Sequence, residues 1–263
     1  MEKLVIESKK NATLSLVRSL NEKKYRKEHG LFFLEWETLF FEARAAGLVP
    51  RIVVLSASAS RPLFSAVEES VSSLDTKLCI VTQDLYCSVS AEQAPQGVLG
   101  VFSVEDFLSL THARGSAHTR YVILEKIRDP GNVGAILRSA AAFGYRGAVF
   151  VDCADLFNPK TLRASMGALF GLELFVYPTL EGALSFVREH GLCLYGTSPH
   201  AKRFIRDADW KRPFALLFGN EGAGATEEAL SSCDEVLAIP MESMESLNAA
   251  CACAVALYES ARG

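Results

Sequence analysis

The chain has 263 residues, of which 49% are hydrophobic and 22% charged, and its formal net charge is -4. That balance fits a folded protein of one large domain or two ordinary ones and excludes a disordered chain. No apolar run approaches the roughly 18 residues of a membrane span, and the acidic total leaves nucleic-acid binding to a local basic patch.

Met1-Glu2-Lys3-Leu4 runs into Ser8-Lys9-Lys10-Asn11 rather than an apolar core, so a secretory leader is not expected. The seven cysteines sit mostly in apolar stretches (Cys79, Cys153, Cys193, Cys251, Cys253) without framework or metal-site spacing. They read as small hydrophobes of a reducing cytoplasm, with no metal site.

In chain order, residues 11–27 form a basic helical stretch and Leu31-Phe32-Phe33-Leu34 a short buried strand, followed by an amphipathic helix over 37–46. Strands follow at 52–55, 78–81 and 98–102, with helices near 61–72 and 84–89. This is a small α/β domain over residues 1–102. Residues 103–118, which include Thr111-His112-Ala113-Arg114-Gly115-Ser116-Ala117-His118, lack periodicity and read as a linker. A second domain over 119–263 alternates strands at 121–124, 148–151, 173–176, 192–195, 214–217 and 235–238 with helices at 132–143, 159–167, 180–190, 226–232 and 246–260. Such alternation predicts an α/β fold with a mostly parallel sheet covered on both faces.

Three of its strands run into loops that pair turn chemistry with polar side chains. Strands of a parallel sheet end on a shared edge, where such sheets bind ligands. The first loop is Asp129-Pro130-Gly131-Asn132-Val133-Gly134, in which Asn132 is the expected N-cap and Arg138 lies under two turns further on. The second is Phe218-Gly219-Asn220-Glu221-Gly222, whose glycines free the backbone to approach a ligand. In the third, Ile239-Pro240 stops a strand, Ser246 is the expected cap of a long helix, and Asn248 sits in its first turn. The apolar face of that helix reads Leu247, Ala250, Cys251, Ala254, Leu257, Tyr258. Each loop alone is also what an ordinary capped helix or tight turn produces; three together point to one site. A dinucleotide-dependent dehydrogenase fits less well, because Ala57-Ser58-Ala59-Ser60 stands where its glycine fingerprint belongs and Gly131-x-x-Gly134 is not GxGxxG.

These loops resemble the three signature motifs of the SpoU/TrmH family of RNA 2′-O-ribose methyltransferases, within the SPOUT class. Asn132, Gly134 and Arg138 match the first motif, Gly219, Asn220, Glu221 and Gly222 the second, and Ile239, Pro240, Ser246, Leu247 and Asn248 the third. The stretch 157–168 is similar to the family's segment between motifs one and two. Residues 1–102 resemble its ribosomal-protein-like RNA-binding domain, through Tyr25-Arg26-Lys27, Leu31 to Glu35 and Pro95-Gln96-Gly97-Val98, with one departure: Glu35-Trp36-Glu37 stands where the family has Glu-Gly-Glu.

The resemblance implies a C-terminal trefoil knot, a homodimer, and S-adenosyl-L-methionine bound at Thr197, Gly219, Ile239 and Leu247 with Leu217 beside them. It implies methyl transfer to a ribose 2′-hydroxyl by Arg138, either as a positioning group or as a base, with Asn132, Glu221, Ser246 and Asn248 supporting it. Structured RNA is the expected partner, ribosomal RNA ahead of transfer RNA. A non-catalytic RNA-binding protein on the same fold is the alternative, although the motif side chains are intact. Lys9, Lys10, Lys23, Lys24, Arg26 and Lys27 form the expected RNA-binding patch, with further clusters at His200, Lys202, Arg203, Arg206 and at Lys160, Arg163.

Overall fold

The computed structural model describes residues 1–112, 119–244 and 246–262. The chain divides into two compact units, Met1–Ala113 with Phe157–Arg163, and Arg114–Leu156 with Ala164–Gly263.

The first unit runs β1 (Glu2–Ile6), α1 (Ala12–Ser19), α2 (Lys23–His29), β2 (Leu31–Glu35), α3 (Glu37–Ala45), β3 (Ile52–Ser56), α4 (Arg61–Val71), β4 (Lys77–Val81), α5 (Gln83–Cys87), β5 (Val98–Ser103) and α6 (Val104–His112). Its sheet has the order β1-β4-β3-β5-β2, in which β5 runs antiparallel to both β3 and β2. Strand β1 was not expected. It lies at the sheet edge with Glu2, Lys3 and Val5 exposed, so only Ile6 is fully buried and its apolar signal is short. The expected single helix over 11–27 is two helices. The break holds because Arg26 turns its guanidinium inward and donates to the carbonyls of Leu20 (2.6 Å) and Asn21 (2.8 Å).

Helix α6 corrects the linker assignment for residues 104–112. Phe107 and Thr111 are buried one turn apart, a helical spacing that the polar residues after them obscured. The rest of the expected linker, 113–118, lies outside the described residues. Phe107 belongs to an aromatic cluster with Phe32 and Phe157, whose ring centroids lie 4.7 Å (Phe32–Phe157) and 5.5 Å (Phe107–Phe157) apart.

The second unit runs β6 (Arg120–Glu125), α7 (Pro130–Ala142), β7 (Gly147–Val151), α8 (Pro159–Ser165, whose first residues pack in the first unit), β8 (Glu173–Tyr177), α9 (Leu180–Glu189), β9 (Cys193–Thr197), β10 (Arg203–Phe204), β11 (Phe214–Phe218), α10 (Glu227–Ser231), β12 (Glu235–Ala238) and α11 (Ala249–Arg262). Every pairing in its seven-stranded sheet is parallel, in the order β10-β12-β9-β11-β6-β7-β8. The chain therefore builds outward from β6 through β7 and β8, then crosses back to add β9, β11 and β12 on the other side. That reversal places a crevice beside the carboxyl ends of β6, β11, β9 and β12.

Helix α11 buries Cys253, Ala256, Leu257 and Ser260. Of the apolar face expected from sequence, only Leu257 is on the buried side; Leu247, Cys251 and Tyr258 are exposed. At the other end of the strands, the buried Glu173 carboxylate accepts from the Tyr121 hydroxyl and from Arg146 Nε, both at 2.8 Å. This pair ties the starts of β6, β7 and β8 together, with the Glu173 side chain 6% exposed. Glu173→Ala removes the shared acceptor of a buried phenol and a partly buried guanidinium, so it is expected to lower stability by about 3 kcal/mol in denaturant unfolding; an unchanged midpoint would refute the clamp.

Candidate active site

The three polar loops converge in the second unit. A cavity of about 340 Å³ is lined by Thr197 at the end of β9, by Phe218 to Ala225 after β11, and by Ile239, Met241, Ser246 and Leu247 after β12. Residues from α10 and α11, Leu230, Ala249 and Ala252, close its floor. Much of the wall is backbone and small side chains. Gly219 is required by packing: a methyl group there would fall 1.9 Å from the Ala225 nitrogen. The loop folds on itself through reciprocal backbone bonds between Asn220 and Gly224, both 2.9 Å, while Asn220 Oδ1 accepts from the N–H groups of Gly222 and Ala223.

Beside the cavity, Glu221 organises the polar groups. Its Oε1 accepts from Asn132 Nδ2 at 3.0 Å and from the Asp129 N–H at 3.1 Å, and its Oε2 accepts from the Arg128 N–H at 3.2 Å. Burial alone pushes the Glu221 carboxyl up, but these hydrogen bonds, Asn132's foremost, hold it below the usual carboxylate range. An ionised carboxylate only accepts, so the Asn132 amide must present its NH₂ to Glu221. Asn132 Oδ1 is then free to accept from Asn248 Nδ2 at 3.1 Å. Asn248 in turn directs Oδ1 at the N–H groups of Ala250 (2.9 Å) and Cys251 (3.3 Å). One carboxylate thus fixes the orientation of two amides taken from the first and third loops.

Two expected caps are corrected. Asp129, not Asn132, caps α7: its side chain accepts from the Asn132 N–H at 3.0 Å, with Pro130 as the first helical residue. Asn248, not Ser246, caps α11, which begins at Ala249. In each case the cap position goes to the residue whose oxygen reaches N–H groups two or three residues ahead. Asn132 is thereby released from capping to bond Glu221.

Among the expected cofactor residues, Thr197, Gly219, Ile239 and Leu247 all line the cavity. Leu217 does not: it is fully buried, and its carbonyl accepts from Thr197 Oγ1 at 2.8 Å, locking β9 beside β11. Glu221 and Ser246 also line the cavity, and Asn132 and Asn248 join it through Glu221. Arg138 stands apart from this group, exposed on α7 and outside the cavity lining, and its side chain has no hydrogen bond or ion pair among the described residues. The sequence reading missed Ser198 and Pro199, which line the cavity after β9 together with His200, expected there only as part of a basic cluster. The Ser-Pro turn directly after a strand was the available signal.

The basic residues divide by environment. Lys9, Lys10, Lys23, Lys24 and Lys27 are exposed on the first unit. Arg26, grouped with them from sequence, is 3% exposed and donates to the carbonyls of Leu20 and Asn21 just after α1, so it is not part of the exposed patch. Arg163 pairs with Glu92 at 2.7 Å and lies 4.9 Å over the Trp36 ring. Trp36 is half-buried against Arg163 within the first unit, and it holds φ 100°, a conformation that favours glycine. Arg203 pairs with Glu235, which partly neutralises the cluster around His200.

Comparison with known proteins follows the same division. Residues 119–258 match the SpoU rRNA Methylase family, and residues 11–100 match the MRM3-like substrate binding domain. The chain is 32% identical to the Synechocystis protein named Uncharacterized tRNA/rRNA methyltransferase slr1673, over 98% of this chain and 93% of that one. It is 30% identical to the 23S rRNA (guanosine(2553)-2'-O)-methyltransferase RlmP of Bacillus subtilis, over 96% and 97% of the two chains. The AdoMet-bound rRNA methyltransferase from Sinorhizobium meliloti has a similar structure, with a TM-score of 0.86 at 28% identity over 99% of this chain and 98% of that one. With the family match spanning more than half its length, residues 119–258, this chain belongs to the SpoU rRNA methylase family.

Proposed function

We propose that this chain is an S-adenosyl-L-methionine-dependent enzyme that methylates a ribose 2′-hydroxyl of RNA. The observation that carries the reading is the chain of bonds from Asn248 through Asn132 to Glu221, set beside a backbone-walled cavity. The cavity suits a nucleoside-sized cofactor in volume and in donor set. Thr197, Gly219, Ile239 and Leu247 would hold the cofactor, which supplies a sulfonium methyl carbon that is already electrophilic. A ribose hydroxyl is a weak acid, so placement is the harder requirement. Asn132 and Asn248 present fixed amide groups for orienting it, and Ser246 stands at the cavity beside them. Arg138, exposed and without a hydrogen bond or ion pair among the described residues, is suited to hold an RNA phosphate and stabilise developing charge. A guanidinium stays protonated, which favours positioning over proton abstraction.

Ribosomal RNA is the favoured substrate, because the RlmP relative aligns along both domains. The domains are assigned as RNA-binding over 1–102 and methyltransferase over 119–263, with the exposed lysines of residues 9–27 tracking phosphates. We further propose a trefoil knot formed by the C-terminal chain around the cavity, a cytoplasmic location, and a homodimer. The exposed Leu247, Cys251, Val255 and Tyr258 support the homodimer, since they recur at the spacing of one helical face along α11 and its entry. Among the described residues no helix is long and apolar enough to cross a membrane.

Ribose-methylation mapping of RNA from cells with and without the protein tests the activity. Wild type is expected to restore a site lost in its absence, and Arg138→Ala to restore none while keeping S-adenosylmethionine affinity within about twofold, as expected of a residue outside the cofactor cavity. Near-normal turnover by Arg138→Ala would sink its assignment. The dimer is tested by light scattering: Val255→Glu with Tyr258→Glu should yield monomers, and a wild type that is already monomeric refutes the interface.

A further inference from the structure

Glu125 is the last residue of β6 and is only 2% exposed, yet no motif contains it. Among the described residues its carboxylate is occupied by one partner: the Thr226 N–H donates to Oε2 at 2.9 Å and the Thr226 hydroxyl to Oε1 at 2.6 Å. The same hydroxyl accepts from the Ala229 N–H at 3.2 Å, capping α10. Thr226 directly follows Ala225, the residue whose backbone crowds Gly219 in the cavity wall.

Side chains of the loop between Gly219 and Thr226 tie it to the segment 125–132 at three places among the described residues. Asn220 Nδ2 donates to the Lys126 carbonyl at 2.9 Å, Glu221 accepts from Arg128, Asp129 and Asn132, and Thr226 donates twice to Glu125. The first two hold the front of the loop, where the polar groups are. Only the third holds its back, next to Ala225 and Leu230, which line the cavity. A charge withdrawn from water is costly unless its hydrogen bonds are well made. Here both oxygens are satisfied from a single loop end, so displacing Thr226 exposes a strong penalty.

We propose that Glu125 is a positioning residue for the cofactor: by anchoring Thr226 it fixes the Gly219–Ala225 wall against which S-adenosylmethionine binds. The proposal rests on the cofactor reading above. It separates two functions within one loop, with Glu221 serving the reacting groups and Glu125 serving the cofactor wall.

Glu125→Gln keeps the size of the side chain but turns an amide donor toward one of the two Thr226 donors. In the intact protein, S-adenosylhomocysteine Kd by calorimetry and the KM for S-adenosylmethionine are expected to rise about tenfold, the scale of one charge-assisted hydrogen bond. The fall in kcat at saturating cofactor should be much smaller, and the KM for RNA should not follow. Thr226→Val should reproduce the defect, Thr226→Ser should restore affinity, and the double variant Glu125→Gln with Thr226→Val should be no weaker than either single one. A folded Glu125→Gln protein with wild-type affinity overturns the proposal, as does a loss confined to kcat. If Glu125→Gln does not fold, wild-type affinity in Thr226→Val overturns it equally. Absence of S-adenosylhomocysteine binding by the wild-type protein would instead refute the cofactor reading.

Discussion

The site depends on Glu221 being ionised and able only to accept. That constraint propagates through covalent geometry rather than through charge. An amide has one donor end and one acceptor end, so fixing the first amide against a carboxylate fixes the second against the first, and the second fixes the start of α11. Three loops, separated by about ninety residues from the first to the second and fewer to the third, acquire one orientation from a single negative group. Protonating Glu221 would remove the reason for each link in turn, and the hydrogen bonds that hold its carboxyl low keep that from happening near neutral pH.

The parallel sheet supplies the other half. Because every pairing of the second unit is parallel, the carboxyl ends of β6, β9, β11 and β12 face one side, and the crossover that inserts β11 between β9 and β6 brings loops distant in sequence into contact. Left-handed conformations at Lys126 (φ 55°) and Asp152 (φ 47°) turn the chain at the ends of β6 and β7. At Lys126 this presents the carbonyl that receives Asn220. At Lys126, strain at a non-glycine position thus falls where a strand becomes site.

The sheet of the second unit was legible because strands buried on both faces are short apolar runs that little else mimics. The loops were legible as turn chemistry at the ends of those runs. What escaped had weaker local signals. Strand β1 is an edge strand with one buried side chain, and β10 has two residues. Helix α6 was masked by the polar stretch beyond it. The caps were misplaced by two or three residues because Asp129 and Asn132, like Ser246 and Asn248, are equally good cap residues, and only three-dimensional geometry decides which oxygen meets the free N–H groups. Asp129-Pro130 did carry the signature of a cap followed by a first helical proline. The orientation of α11 could not be read, since small and apolar residues surround more than one face. Arg26 shows the converse: its charge placed it in a basic patch, and its neighbours' unpaired carbonyls took it out again.

The aromatic cluster of the first unit has a temporal consequence. Phe32 and Phe107 are made early, but Phe157 is translated only after β6, α7 and β7 of the second unit. On the ribosome, the apolar faces around Phe32 and Phe107 therefore wait unfilled while fifty or so further residues are added, at a synthesis rate of roughly 5–20 residues per second. Maturation of the first unit is thus interleaved with that of the second: Phe157, and after it the buried Leu162, arrive from a chain already committed to building the other sheet.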